Sequence, residues 1–282
     1  MQNMFSCLRW TNELMLLMFF VGSLISVCLG DIRSDVNVLF GGDRVKFFKE
    51  RRRVDLSLDQ YSGSGFEFKK SFIFGKFDIE IKLVPKNSAG SVTTFYLNST
   101  HGTSHDEIDF EFLGHLHPLR YILQTKIFTN GVGGREQRIH LWFDPTKDHH
   151  KYSILWNPQV IIFYVDDTPI RIYKRNRGVL YPNMQPMTLY ATIWDGSDWA
   201  TDGGKVKIDW KEAPFVASYN SHNVDGCVWA GSGTKTYCNS KSPPWWKKIW
   251  TLSADEWKKL GWVKKKFMID DYCDKKKRPL EC

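Results

Sequence analysis

The segment 105–112, HDEIDFEF, alternates acidic and apolar side chains and constrains the fold more than any other part of the chain. Side chains of a β-strand project alternately to its two faces, so the pattern predicts a strand with Glu107, Asp109 and Glu111 on one face. The residues between them then enter an apolar layer. One face of this strand is therefore predicted to belong to a core, and the other to carry chemistry.

The order Glu, Asp, Glu places a shorter carboxyl between two longer ones, and the two longer ones could both act on a substrate. Positions four apart on a strand are about 13 Å apart, yet two long Glu side chains can lean inwards over a twisted strand. Their carboxyls could then approach the roughly 5–5.5 Å that a retaining glycosidase needs, where one attacks an anomeric carbon and the other protonates the leaving oxygen. Because three neighbouring carboxylates repel one another, their pKa values are expected to be driven apart.

Two simpler interpretations of the acidic strand remain. A strand often presents its charged side chains to solvent without any further role. A carboxylate cluster can also hold a hard cation, although such ions take ligands from several loop positions, which a straight strand does not offer. The apolar residues between the acids, and His105 on the same side as the acids, favour an active-site strand without a metal.

The N-terminal 30 residues have the pattern of a secretion signal. Arg9 precedes an apolar run from Leu14 to Leu29, and small Gly30 is followed by polar residues. The run is shorter than the roughly 20 residues that cross a bilayer as a helix. Residues 1–30 are therefore predicted to be a signal peptide, removed from a secreted protein with no membrane span.

The cysteines that remain after residue 30 lie in the last quarter of the chain, at positions Cys227, Cys238, Cys273 and Cys282. In an exported protein an even number of cysteines indicates disulfides, and four allow three pairings. Pairing between sequence neighbours is the simplest arrangement. A zinc site is the alternative, but the sequence contains no Cys-x-x-Cys pair among them.

The chain of 282 residues carries a formal net charge of +8, with basic runs at 51–53, 264–266 and 275–278. Basic runs can bind nucleic acid, but no nucleic-acid fold motif accompanies them, and the secretion signal predicts an extracellular site. An acidic extracellular polysaccharide fits both observations as a partner. A solvated basic surface without a partner is the alternative.

Short β-type segments separated by turn residues run from Val54 to Asp209. Asp166-Asp167 has the composition of a hairpin turn, and no stretch alternates strands with helices. The class is therefore predicted to be all-β, with two antiparallel sheets stacked as a sandwich over residues 31–210. The predicted strands are 71–74, 76–84, 92–97, 107–113, 121–129, 138–143, 150–156, 160–165, 168–173 and 187–194.

The composition changes after Trp210, so residues 211–282 are predicted to be a C-terminal extension packed on the sandwich. Ser253 and Glu256 can form a capping box at the start of a helix, with Trp257, Leu260 and Val263 supplying a partial apolar stripe. Gly261 weakens this helix. A last strand is predicted over 266–272, before the second cysteine pair.

The strand pattern and the segment 105–114, HDEIDFEFLG, closely resemble the xyloglucan endotransglucosylase/hydrolases of plant cell walls, within glycoside hydrolase family 16. The resemblance covers essentially all of the chain after residue 30. It implies a β jelly roll with an open cleft for a β-1,4-glucan, no cofactor, and a monomer secreted to the cell wall. It also implies that Glu107 is the nucleophile, Glu111 the acid/base, and Asp109 a helper that hydrogen-bonds the nucleophile.

The same resemblance implies a set of positions that contact sugar. The aromatic residues among them are expected to form a floor under the sugar rings, although each could equally be core packing. The implied positions are Tyr96, His105, Gln124, Thr125, Lys126, Gly134, Arg135, Glu136, Trp194, Asp198, Trp199, Gly203 and Arg278.

The chain departs from the family pattern at several places near these positions. Lys126 stands where the family usually has Asn, and Gly134 where it usually has Asp. The usual glycosylation sequon after Gly114 is replaced by His-Leu-His, and the sequon at Asn98 predicts a glycan on a different loop. The stretch between Cys273 and Cys282 is also shorter than usual.

The implied reaction cuts a xyloglucan backbone with retention and passes the glycosyl group to another xyloglucan end or to water. Two other functions remain open at this point. One is a secreted glucan-binding module without catalysis, and the other is a hydrolase of mixed-linkage β-glucan or laminarin. The three intact acids argue against the first, and the cysteine-bearing C-terminal region argues against the second.

Overall fold

The computed structural model describes residues 32–48, 52–99, 102–231, 244–275, 278 and 280–282. Helix α1 is Ile32–Asp35 and helix α2 is Ala254–Lys266. The strands are β1 Val36–Phe40, β2 Val45–Phe48, β3 Arg53–Leu58, β4 Ser64–Lys82, β5 Ser91–Asn98, β6 Glu107–Leu113, β7 Ile122–Phe128, β8 Gln137–His140, β9 His150–Trp156, β10 Val160–Val165, β11 Thr168–Lys174, β12 Met187–Asp195, β13 Phe215–Val228 and β14 Met268–Asp271.

The strands form two antiparallel layers that share the long strand β4. In the first layer β4 follows β1 and continues into β12, β5, β6, β7, β8 and β14. In the second layer it lies between β9 and β13, with β10 and β11 on one side and β3 and β2 on the other. The all-β, two-sheet prediction is therefore confirmed, and the sheets are continuous because one strand belongs to both.

Strand β4 was predicted as two strands separated at Gly75, and this was wrong. Residues 64–72 pair with β12, and residues 75–81 pair with β9. Phe74 has a φ of 72° at the change of layer, and a Cβ on Gly75 would lie 2.7 Å from the Cα of Gly226. The glycine marks a bend and a close backbone approach within one strand, not its end.

The core lies between the layers and is formed by the apolar residues of alternating strands. Phe110 of β6 contacts Tyr152 and Phe163 of the second layer edge to face, with ring centroids 5.8 and 5.1 Å apart. Phe112 contacts the same Tyr152 at 4.6 Å. The apolar face of β6 is therefore anchored across the sandwich, which fixes the direction in which its acidic face points.

The strands predicted between residues 92 and 194 are all present, with small shifts at their ends. The hairpin at Asp166-Asp167 is confirmed, because both residues have positive φ and join β10 to β11. The sequence prediction named no strand at β1, β2, β3 or β13. Strand β1 is an edge strand that buries only its first residue, so it lacks the alternation by which strands are recognised.

The C-terminal region contributes to both layers as well as to a helix. Helix α2 begins with the predicted Ser253–Glu256 capping box, buries Leu260 and Val263, and packs against β11. Trp257, also predicted on the apolar stripe, is exposed instead. Strand β14 pairs with β8, and β13 pairs with β3 and β4. The domain boundary at residue 210 stays a prediction, but the chain beyond it completes the sandwich.

A disulfide joins Cys273 to Cys282, with the two Cα atoms 5.6 Å apart, as sequence proximity predicts. Cys238, the predicted disulfide partner of Cys227, lies outside the described residues. The predicted signal peptide also lies outside them. No helix in the described part of the chain is long and apolar enough to cross a membrane.

Candidate active site

Strand β6 lies in the middle of the first layer, between β5 and β7, and carries the three acids on the face away from the core. Tyr96 of β5 lies opposite Asp109 in the strand register. The carboxyls open into a groove of about 200 Å³. The residues that line it are Thr94, Tyr96, Asn98, Glu107, Asp109, Glu111, Thr192 and Trp194. The structure therefore brings both outer acids to one open surface.

The carboxylate of Glu107 is held from two sides. Asn98, its partner in the strand register, donates a hydrogen bond from Nδ2 to Glu107 Oε2 at 2.5 Å. His105 Nε2 lies 3.7 Å from the same oxygen, and its ring stacks on Phe128. These neighbours orient the first acid on the groove surface.

Asn98 has a second role beside the glycan that its sequon predicts. The atom that would carry a glycan, Nδ2, donates to Glu107 inside the groove. The glycan at this position stays a prediction. Asn98 belongs to the site as a partner of Glu107.

The middle carboxyl, Asp109, is only 2% exposed. Burial raises its pKa well above the usual value, and the charge of Glu107 and a hydrogen bond with Glu107 raise the pKa further, although Lys126 acts in the opposite direction. No N–H or hydroxyl group of the described residues donates to Asp109. Burial beside Glu107 therefore favours the neutral form of this carboxyl.

Replacing Asp109 with asparagine is expected to stabilise the fold while impairing the site. The raised pKa means that the folded state binds a proton that the unfolded state has lost, so the stability of the wild type falls as pH rises from about 4 towards the folded-state pKa. The Asp109→Asn variant lacks this dependence. Urea unfolding should show a gain of about 0.5–2 kcal/mol at neutral pH that shrinks towards pH 4. A gain independent of pH would contradict a protonated Asp109.

The second outer acid, Glu111, is held by neighbours on β7. Gln124 donates from Nε2 to Glu111 Oε2, and Lys126 Nζ lies 3.3 Å from Glu111 Oε1. Arg138 of β8 donates from Nε to Gln124 Oε1 at 2.5 Å. A chain of contacts across three strands therefore fixes the orientation of this carboxyl.

Aromatic side chains lie beside the carboxyls. Tyr96 stacks on Tyr190, with ring centroids 5.1 Å apart, and Trp194 lines the groove. Trp199 lies 6.0 Å from Trp194 and packs on a small apolar cluster. Flat rings at these positions can cover the apolar faces of sugar rings.

Two predicted sugar contacts are corrected by the structure. Thr125 points into the core, because it lies between the groove-facing Gln124 and Lys126, and its hydroxyl accepts a hydrogen bond from Arg171. Arg135 is fully buried, and its guanidinium pairs with Glu281 through two hydrogen bonds of 2.8 and 2.9 Å. Neither side chain is free to touch a sugar.

The remaining predicted positions lie away from the three acids. Gly134, Glu136 and Arg278 line a separate cavity of about 540 Å³, where Arg278 donates to the carbonyl oxygen of Gly133. Asp198 is exposed and pairs with Lys207 at 3.2 Å. Gly203 lies in the 3₁₀ helix Asp202–Gly204, with a φ of 66°.

Several groove residues escaped the sequence prediction: Thr94, Asn98 as a partner of Glu107, Arg138, Tyr190 and Thr192. Thr94 and Asn98 could have been found, because they share strand parity with Tyr96. Arg138, Tyr190 and Thr192 could not have been found in this way, because their place beside the acids depends on which strands become neighbours. Among the described residues, no group of three or more His, Cys, Asp or Glu side chains is placed to hold a metal ion.

A sequence profile described as "Glycosyl hydrolases family 16" matches residues 32–212, and one described as "Xyloglucan endo-transglycosylase (XET) C-terminus" matches residues 240–282. Xyloglucan endotransglucosylase protein 2 from Diospyros kaki is 47% identical over 92% of this chain and 92% of its own length. Xyloglucan endotransglucosylase protein 34 from Populus tremula x Populus tremuloides is 45% identical over 97% and 96% of the two chains.

A solved structure, that of the apo Crh5 transglycosylase, is similar with a TM-score of 0.57 and 22% identity, over 68% of this chain and 79% of that one. At this identity the similarity concerns the fold. The 68% of this chain that the similarity covers corresponds in length to the predicted sandwich domain, residues 31–210.

Proposed function

The chain belongs to glycosyl hydrolase family 16, and on this premise we propose that it cleaves the β-1,4-glucan backbone of xyloglucan with retention of configuration. The glycosyl group passes to another xyloglucan end or to water. The observation that carries the proposal is the placement of Glu107, Asp109 and Glu111 on one open groove of the sandwich. The similarity to xyloglucan endotransglucosylases along nearly the whole chain supports the substrate.

In the first step, Glu107 attacks the anomeric carbon and forms a glycosyl ester, while Glu111 gives its proton to the departing oxygen. Asp109 lies beside Glu107, and burial, followed by the charge of Glu107, raises its pKa, which favours its neutral form as a hydrogen-bonding neighbour of the nucleophile. In the second step, Glu111 removes a proton from the incoming hydroxyl as its oxygen attacks the ester, and Glu107 leaves as carboxylate. The hydrogen bonds from Asn98 and Gln124 keep the two acting carboxyls in place throughout.

The incoming hydroxyl decides whether the outcome is transfer or hydrolysis. The same two carboxyls serve both reactions, since a sugar hydroxyl and water enter at the same position. Transfer exceeds hydrolysis when a bound sugar chain is held over the ester and outcompetes water by its positioning. The aromatic rings of Tyr96 and Trp194 beside the acids are suitable contacts for such a chain.

The proposal is tested by incubating the purified protein with xyloglucan, with and without labelled xyloglucan oligosaccharides. We expect label to enter polymer, which shows transfer. A shorter polymer without label would show hydrolysis alone. Binding without product would favour a non-catalytic module, and faster action on mixed-linkage glucan or laminarin would favour the other hydrolase, so each result separates one candidate function.

We further propose that the protein is secreted to the cell wall after removal of residues 1–30, and that it acts as a monomer, because the groove acids and their hydrogen-bond partners come from one chain. N-terminal sequencing of the exported protein should begin near residue 31. Light scattering of the exported protein should give the mass of one chain. Intracellular retention or a dimer would contradict these proposals.

The basic surface is proposed to bind an acidic wall polysaccharide through α2. Lys258, Lys265 and Lys266 are exposed on this helix and make no ion pair with any carboxylate among the described residues. A row of unpaired ammonium groups attracts a polyanion in a salt-dependent manner. A solvated basic surface without a partner remains the alternative.

The variant Lys258→Glu/Lys265→Glu should therefore bind polygalacturonate at least about fivefold more weakly at low salt, as expected for loss of surface charge attraction. Its action on xyloglucan should not change. The matched control is Lys205→Glu/Lys211→Glu, which reverses two exposed lysines elsewhere. Equal weakening in both variants would show that only net charge matters, and would contradict a site on α2.

A further inference from the structure

Lys126 places a cation on the groove face among the three acids. It lies opposite Asp109 in the strand register, and its Nζ is 3.3 Å from Glu111 Oε1. Its side chain is 21% exposed and passes over the ring of Phe128, with Nζ 5.2 Å from the ring centroid. Lys126 therefore forms a partly buried ion pair with Glu111, the carboxyl that transfers protons in the proposed reaction.

The side chain of Lys126 is positively charged. Burial acts to lower its pKa, but the charges of Asp109, Glu111 and Glu107 raise it more, so the net pKa lies above the usual value for lysine. The ammonium is therefore charged throughout the pH range in which a carboxyl titrates. Its Nζ also lies over the ring of Phe128, 5.2 Å from the ring centroid, which favours this position of the ammonium.

The groups that face Glu111 come from several strands. On β6 these are Glu107 and Asp109, which carry or share negative charge. On β7 they are Gln124 and Lys126, and Arg138 of β8 acts through Gln124. Among the described residues, Lys126 is therefore the cation in direct contact with this carboxyl.

An ion pair with Lys126 has opposite effects on the two steps. Glu111 must be protonated to release the leaving oxygen, and protonation removes the attraction to the ammonium. It must be ionised to accept a proton from the incoming hydroxyl, and the ammonium stabilises that form. We propose that Lys126 is a positioning residue that sets the upper pH limit of the reaction by stabilising the charged form of Glu111. This inference rests on the proposed function for its kinetic consequence.

The test compares the pH dependence of kcat/KM on xyloglucan for the wild type, Lys126→Gln, Lys126→Met and Lys126→Arg. The two neutral variants should move the alkaline limb of the profile upwards by about one pH unit, because the limb reports loss of the proton from the acid group. The arginine variant keeps the charge and should leave the limb in place. Lys46→Gln, which changes an exposed lysine on β2, is the matched control.

A change in KM with an unmoved alkaline limb would show that Lys126 only contacts sugar, and would overturn the inference. A second measurement does not depend on turnover. In a Glu107→Gln background with ¹³C-labelled glutamate, the NMR titration of Glu111 should move to higher pH when Lys126→Gln is added. An unmoved titration would overturn the inference, whereas a wild type without xyloglucan products would overturn only the proposed function.

Discussion

Replacing Glu107 with alanine is expected to lower both cleavage and transfer of xyloglucan by at least about ten-thousand-fold, the scale on which loss of a covalent nucleophile acts. No other carboxyl on the groove face can take over. Asp109 is 2% exposed and burial raises its pKa, so it is a poor nucleophile, and Glu111 is engaged by Gln124 and Lys126. The measurement is the initial rate of polymer shortening and of label incorporation.

The loss in the Glu107→Ala variant has a chemical signature that separates it from misfolding. Azide can enter the space left by the carboxylate and attack an activated glycoside directly, which gives a glycosyl azide of inverted configuration. Glu212→Ala, which removes an exposed carboxylate far along the chain, is the matched control and should keep full activity. A Glu107→Ala protein that still shortened or religated xyloglucan would exclude Glu107 as the nucleophile.

Replacing Glu111 with alanine is expected to cost about 10²–10⁴-fold on xyloglucan, the range of general acid–base catalysis. The cost should be much smaller for formation of the glycosyl-enzyme from an aryl glycoside, because a good leaving group departs without a proton. Glu107 keeps its contacts with Asn98 and His105 in this variant, since they do not involve Glu111. Burst kinetics with the aryl glycoside measure the two steps separately.

Azide again distinguishes the roles of the two acids. In the Glu111→Ala variant it should speed the second step and give a glycosyl azide of retained configuration, because Glu107 is still the group displaced. Gln124→Glu is a useful comparison, since it alters the hydrogen bond to Glu111 but leaves the acid present. Equal losses on xyloglucan and on the aryl glycoside in Glu111→Ala would contradict an acid/base role for Glu111.

Much of the fold could be predicted because alternation along a strand is a local property. Ile108 and Phe110 are fully buried, as their spacing predicts, and the hairpin at Asp166 forms where two turn residues separate apolar runs. The capping box at Ser253 is equally local, because its hydrogen bonds join residues three apart. The bend at Gly75 was misjudged, since a glycine within a strand and a glycine that ends one have the same composition.

Two predicted sugar contacts were wrong, because strand parity or a partner distant in the sequence decides where those side chains lie. Thr125 was grouped with Gln124, although adjacent residues on a strand face opposite layers. Arg135 carries a charge that suits a sugar, yet Glu281, close to the end of the chain, neutralises it in the core. The sequon at Asn98 is a local signal, whereas the hydrogen bond from its amide to Glu107 depends on the pairing of β5 with β6.

The amino-acid sequence by itself determined which residues are acidic, their period of two, and therefore that three carboxyls share one face of a strand backed by an apolar layer. Only the tertiary structure decided which groups surround each carboxyl. Asn98, Gln124 and Lys126 reach the acids because β5 and β7 flank β6, and the pKa of Asp109 is raised because the fold buries it beside Glu107. Strand periodicity depends on neighbouring residues in the chain, whereas pKa values and ion pairs depend on distances between residues that folding brings together.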